Sequence, residues 1–230
     1  MEQSPKFLII ESSGEVCSVA IAIGNEILAE KSIVESNSHS TYLASFVQDV
    51  LSQAEMEISE LSAIAISGGP GSYTGLRIGC SVAKGICFGA NKPLISTSTL
   101  RGLAIAAFEE HPDAAQIVSL IDARRMDAYA QVFDSQLSSL VDEHFLTLDE
   151  SFINRLRSDT ETIAVGSGAH KWIEEFKPKG VLKASKSELY ARHLLNEVVL
   201  KWGNKDFEDV IYYEPNYIKS VFVTKPKPKF

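Results

Sequence analysis

One plan is written twice in this chain. The apolar run Phe7-Leu8-Ile9-Ile10 ends in Glu11 just before a hairpin, and Val118-Ser119-Leu120-Ile121 ends in Asp122 before another. Further on, "ISGGPG" (66–71) closes an apolar run ahead of a helical pattern, and "AVGSGA" (164–169) does the same. An acid at a first hairpin and a later glycine turn therefore mark two related halves, each built on a sheet. The offsets differ, 111 residues for the acids and 98 for the glycine turns, so this is not a tandem array of short repeats. A chain of 230 residues has room for two such units, each with its own core.

The first half reads as three strands in a meander, Lys6 to Ser12, Val16 to Gly24 and Ile27 to Val34, with Asn25-Glu26 as one turn. A helix follows over 40–56, with Ser38 or Ser40 as its cap. Leu43, Phe46, Val47, Val50, Leu51 and Ala54 recur at helical spacing along it. Leu61 to Ser67 is a fourth strand, and Leu76 to Ala90 a second helix that stops at Asn91-Lys92-Pro93. In the second half, Gln116 to Arg124 pairs with 126–133, and "TIAVGSGAHKWIEEF" is strand, glycine turn and helix. Ser187 opens a last helix with Leu194, Leu195, Val198 and Trp202 facing inward. The expected domains are 1–99, joined by a returning segment at 205–222, and 100–204, with the hinge near Ser98 to Leu100. The Lys-Pro alternation of 223–230 predicts an extended, mobile basic tail.

"SGGPGSYTGLRIG" (67–79) invites a phosphate-loop reading and fails both standard tests. The P-loop lysine is missing, because Gly75 is followed by Leu76-Arg77. The dinucleotide pattern loses its last glycine, because Gly69-Pro70-Gly71 runs into Ser72-Tyr73-Thr74. Small residues continue into the helix, with Gly75, Gly79 and Ala83 at intervals of four and Gly85 and Gly89 likewise. Each helical glycine costs about 1 kcal/mol relative to alanine, so close backbone approach is needed to account for them, by the core sheet or by a partner helix.

Several functions are excluded or weakened. The longest apolar run is too short for a membrane helix, and the N-terminus carries no signal-peptide core, which makes the cytoplasm the expected location. Cys17, Cys80 and Cys87 form no CxxC and read as buried free thiols. A net charge of −8 argues against holding nucleic acid unaided. His39, His111, His144, His170 and His193 make no HxxxH or HExxH pair, and there is no GxSxG elbow. No catalytic residue and no metal ligand is therefore assigned.

"IIESSGEVCSVAI", "SGGPGSYTGLRIG", "AKGICFGANKPLISTSTL" and "IDARRMDAYAQVF" occur in this order and resemble the TsaB family, also called YeaZ. "AVGSGAHKW" and "EPNYIKS" extend the resemblance more weakly towards the C-terminus. It implies an α/β fold of two actin-like, ribonuclease H-like domains, as in sugar kinases, chaperone ATPases and actin. It also implies a role in threonylcarbamoyl modification of the adenosine beside the anticodon in tRNAs that read A-starting codons. The catalytic relative TsaD holds a metal through an HxxxH pair, and this chain has only His111 in the corresponding region.

The expected role is thus a non-catalytic partner of TsaD, in a complex that the ATPase TsaE joins and through which tRNA is bound, with a homodimer when alone. The resemblance places the interface on the first two helices. Leu43, Phe46, Val47 and Val50 are the candidates on the first. Thr74, Gly75, Arg77, Ile78 and Gly79, then Ser81, Val82, Ala83 and Ile86, are those on the second, with Gly75, Gly79 and Ala83 admitting a partner helix. No cofactor is expected. The alternative is an ATP-binding phosphotransferase or ATPase, with ATP or ADP in the cleft or at an interface of the complex. Its candidate residues are Glu11, Ser12, Gly69, Gly71 and Ser72 in the first half and Asp122, Arg124, Gly166 and Gly168 in the second. Glu11 stands where kinase relatives carry Asp, and "NYIKS" has Ile and Lys where the family often has Leu and Arg, which weakens that alternative. A protease is the remote third reading.

Overall fold

The structure, a computed structural model, describes residues 4–35, 39–149, 152, 156, 161–177 and 181–216. Its first sheet is built from β1 (Lys6–Glu11), β2 (Val16–Ile23), β3 (Glu26–Val34), β4 (Ala63–Ser67) and β5 (Leu94–Thr97). The strand order is β3-β2-β1-β4-β5. β1 to β3 are antiparallel neighbours, and β4 and β5 join parallel to β1. The second sheet uses β6 (Gln116–Asp122), β7 (Asp127–Asp134), β8 (Ser139–Thr147), β9 (Thr162–Val165) and β10 (Val181–Ala184). Its order is β10-β9-β6-β7-β8, the same plan, with β6 in the place of β1. Two copies of this mixed five-stranded sheet are the actin-like, ribonuclease H-like architecture.

β1 is apolar at consecutive positions because both of its faces are covered. Leu8 and Ile10 meet α1 (His39–Gln53) and α2 (Tyr73–Ala90), whereas Phe7 and Ile9 face the middle of the molecule. That middle layer holds α3 (Thr99–Glu110) and α5 (Leu195–Asn204), and it receives Ile117, Phe133, Ile163 and Val165 from the second sheet. α4 (Ala169–Phe176) covers the opposite face of the second sheet through Trp172.

Ser72 caps α2 by accepting the Gly75 amide at 3.2 Å, so the helix starts at Tyr73, earlier than the apolar period alone predicts. Asn91 ends it in a left-handed conformation. Ser40 lies inside α1 rather than capping it, and Ser38 is outside the described residues. Ser187 starts no helix, because its hydroxyl is given to Glu110. A short 3-10 turn at Ala191–Leu194 precedes α5 instead, with Leu194, Leu195 and Val198 buried and Trp202 edge-on to Phe7. Ser98 is the N-cap of α3, which packs on the second sheet. Beyond α5 the chain runs back to the first sheet. The Glu208 amide donates to Leu94 O, and the Asn216 amide to Gly68 O at 2.7 Å. The tail at 223–230 lies outside the described residues.

Candidate functional site

The glycine loop is filled by its own chain. A Cβ at Gly68 would meet Ser96 Oγ at 1.9 Å and the Tyr213 hydroxyl at 2.7 Å, and one at Gly69 would meet Asn216 O at 2.7 Å. One at Gly71 would meet Ser13 O at 2.4 Å, and the Ser72 amide already donates to that oxygen at 2.7 Å. These glycines let the β1–β2 turn and the returning C-terminal segment press onto the loop. A loop of this kind offers no open phosphate cradle.

The same close approach continues along α2. A Cβ at Gly75 would lie 2.1 Å from Ser12 O, and one at Gly79 would lie 2.1 Å from Ser12 Oγ. Ala83 is fully buried in the first core. This corrects the assignment of Gly75, Gly79 and Ala83 to a partner contact: they face β1 and the hairpin that follows it. Leu43, Phe46, Val47 and Val50 are corrected likewise, since they form the buried side of α1 against the sheet. Ile78, Val82 and Ile86 are half-buried against the same core. Thr74, Arg77 and Ser81 are exposed.

The outward stripe of α2 runs through Tyr73, Arg77, Ser81, Gly85, Phe88 and Gly89. Around Gly85 and Gly89 a Cβ would meet nothing within 4 Å, and Phe88 is 79 % exposed. Arg77 Nη1 donates to the Tyr73 hydroxyl at 2.5 Å and lies over that ring. Ile211 and Tyr212 are exposed too, and Ile211 lines a shallow groove with Phe88. Lys84 fixes this edge by donating to Ile211 O and Tyr213 O, both at 3.0 Å. The sequence flagged the helix, but Phe88, Ile211 and Tyr212 went unnoticed, because exposure of a single apolar residue leaves no periodic signal.

The two hairpin acids do not converge on an open site. Glu11 is completely buried, and its Oε1 accepts the Ser13 amide at 2.6 Å and the Ser13 hydroxyl at 2.5 Å. Burial pushes its carboxyl up to about 7, against the pull of Ser13, Ser67 and the Gly14 amide. Ser12, also buried, donates its amide to Ser67 Oγ. Asp122 is spent on its own surroundings, its Oδ1 accepting the Arg124 amide at 3.0 Å and pairing with Lys171 at 2.9 Å. Arg124 is exposed in a left-handed conformation at the hairpin tip. Gly166 and Gly168 bring the β9–α4 turn against Leu120, whose carbonyl accepts the Gly168 amide. Among the described residues, no three of His, Cys, Asp and Glu are grouped to hold a metal ion. No described helix is long and apolar enough to cross a membrane.

Between the two sheets lies a cavity of about 350 Å³. It is walled by the β1–β2 turn, the start of α3, the β9–α4 turn and residues 185–189. It holds Ser13, Gly166 and, at its inner wall, Thr99, but not Glu11, Asp122 or the glycine loop at 68–72.

A family model described as "TsaD: tRNA N6-adenosine threonylcarbamoyltransferase" matches residues 26–176. A Haemophilus influenzae protein named "tRNA threonylcarbamoyladenosine biosynthesis protein TsaB" is 28% identical over 98% of this chain and 98% of its own length. Its Escherichia coli namesake is 28% identical over 77% of this chain and 78% of its own. A solved Pseudomonas aeruginosa structure, described as an uncharacterized protein with similarity to peptidase YEAZ, superposes with a TM-score of 0.82 at 25% identity. It covers 94% of this chain and 100% of that one. With the doubled sheet and the GPGSYTGLRIG loop in place, this chain belongs to the family of that model, on its TsaB (YeaZ) branch.

Proposed function

We propose that this chain is a non-catalytic subunit of the tRNA threonylcarbamoyladenosine machinery, which docks on a TsaD-type transferase and holds it in its active conformation. The observation that carries the reading is the outward face of α2. There Phe88 stands 79 % exposed beside the bare backbone of Gly85 and Gly89. Exposed apolar surface beside glycine lets another helix come close, and covering Phe88 would contribute about 1.5–3 kcal/mol. Activation takes the form of a two-state transferase biased by the partner that binds one state better. TsaE and tRNA join through the complex, a second copy of the chain takes the same face when the transferase is absent, and the setting is the cytoplasm. The ATP-binding alternative is not favoured, because the glycine loop is occupied by Ser13, Tyr213 and Asn216.

The test is a mixing experiment with the transferase of the same organism, followed by size exclusion with light scattering and by tRNA modification. Wild type is expected to form a stable complex and to raise the modification rate, whereas Gly85→Trp loses both. Equal modification with and without the chain, or undiminished binding by Gly85→Trp, would sink the reading.

A further inference from the structure

The cavity between the sheets belongs to neither the docking face nor the glycine loop, and its chemistry is one-sided. Hydroxyls from Ser13, Thr99, Ser167, Ser185 and Ser187 line it. Three of these have already given away their protons. Ser13 Oγ donates to Glu11 at 2.5 Å, and Ser185 Oγ and Ser187 Oγ both donate to Glu110 Oε2. What they present to the cavity is lone pairs. Glu15 and Glu188 add two carboxylates to the lining, and burial first, with the Glu15 charge second, holds the Glu188 carboxyl above its ordinary range. Lys186 is the one full cation in the lining, alongside His170.

The amides that would favour an anion are already engaged. At the start of α4, Gly168 N donates to Leu120 O and Ala169 N to Gly166 O, each at 3.0 Å. The apolar part of the wall is Val16, Leu103, Ile121 and Leu189. Thr99 is the independent sign that something is missing. It is 2 % exposed, it lines the cavity, and its Oγ1 has no hydrogen-bond partner. A buried hydroxyl of that kind is costly unless a ligand or water completes it. The volume, about 350 Å³, is at the low end of small-molecule pockets.

We propose that this cleft binds an uncharged, donor-rich molecule of nucleoside size, its ring against Leu103, Ile121 and Leu189 and its hydroxyls on Thr99, Ser13 and Ser185, and that it rejects the phosphorylated forms. Phosphate brings acceptors and negative charge to a site that already holds both. This goes beyond the docking role and does not depend on it.

The experiment is calorimetric titration of the full chain, without transferase, using adenosine, AMP and magnesium-ATP as probes. Adenosine is expected to bind, AMP about tenfold more weakly, and ATP not measurably. Thr99→Val keeps the side-chain shape, removes only the unpartnered hydroxyl, and is expected to weaken adenosine about tenfold at unchanged Tm. A Glu15→Gln, Glu188→Gln double variant is expected to narrow the gap between adenosine and AMP. No adenosine binding, AMP or ATP binding as tightly as adenosine, or an indifferent Thr99→Val would each overturn the proposal. None of these outcomes touches the docking face on α2.

Discussion

A Cβ on Gly75 would sit 2.1 Å from the carbonyl oxygen of Ser12, so the first turn of α2 and the end of β1 are in contact through backbone alone. Gly79, one turn on, meets the Ser12 hydroxyl at the same distance, but that oxygen belongs to a side chain and can rotate away. Gly85 meets nothing. These three environments predict a ranking for substitution by alanine. Gly75→Ala forces the hairpin off the helix and is expected to cost about 3 kcal/mol. Gly79→Ala costs about 1 kcal/mol. Gly85→Ala stabilises the lone chain by about 0.5–1 kcal/mol, through helix propensity. Urea midpoints of the three variants check it, and equal losses at Gly75 and Gly85 would show that the glycine faces are wrongly assigned.

Two buried groups pull the pH dependence of stability in opposite directions. Burial holds the Glu11 carboxyl near 7, so between its ordinary 4.5 and about 7 the native state keeps a proton that the unfolded chain has released. That contribution is complete at low pH and is lost as pH rises through 7. His193 is the mirror case. Burial, with Arg192 second, depresses it to about 4 from an ordinary 6.5, so its contribution is present above 6.5 and is lost as pH falls towards 4. Its Nδ1 accepts the Tyr190 amide at 3.0 Å, which puts the proton of the neutral ring on Nε2, 3.4 Å from Glu109 Oε2. Glu109 would favour the charged ring, but it is exposed and the ring is not. Each group is worth at most about 3 kcal/mol, from the size of its shift. In wild type the slopes therefore offset between pH 4.5 and 6.5. Glu11→Gln is expected to leave the His193 slope alone, with stability rising across that window and exceeding wild type at pH 8. Denaturation at four pH values from 5 to 8 measures it, and an unchanged profile would refute the assignment.

The doubled plan was legible because hairpin acids and glycine turns are local signals repeated at matching places, and the strand alternation between them is unambiguous. α3 was not: "TLRGLAIAAFEE" is apolar nearly all round, since it lies between two sheets, and a helix buried on every side has no period to read. The faces of α2 were not legible for a different reason. Gly75 and Gly79 have the same four-residue spacing as Gly85 and Gly89, and what separates them is Ser12, 63 residues before Gly75. Nor could the sequence place Tyr213 and Asn216 on a loop that precedes them by more than a hundred residues.

The returning segment is the one path that touches α2, the glycine loop and the second sheet in succession. Lys84 holds two of its carbonyls, the Tyr213 hydroxyl bonds Ser96 Oγ at 2.7 Å, and Asn216 Nδ2 donates to Glu143 Oε1 on β8 at 2.6 Å. Lys84→Met keeps the aliphatic stem and removes both charge-assisted bonds, for an expected loss of about 1.5–3 kcal/mol. The loss is local. Hydrogen exchange should quicken at the amides of Glu208, Tyr213 and Asn216, all bonded in the native state, and stay unchanged along β6 and β9. Uniform acceleration across both sheets would instead mean that Lys84 acts on global stability.

Phe88 separates folding from docking. Because it is 79 % exposed, Phe88→Asp removes almost no buried area from the lone chain, and its Tm should move by no more than a surface substitution moves it, within about 0.5 kcal/mol. In the complex the same residue would sit under a partner helix at the middle of a small-residue stripe, where an aromatic anchor is worth about 2 kcal/mol or more and a buried carboxylate is worse than none. Binding to the transferase is therefore expected to weaken by at least about thirtyfold while folding is untouched. Leu200 is the control: it is 61 % exposed on α5, away from the stripe, and Leu200→Asp is expected to leave both quantities unchanged. Titration calorimetry with the transferase reads the difference, and equal behaviour of the two variants would remove α2 as the docking helix.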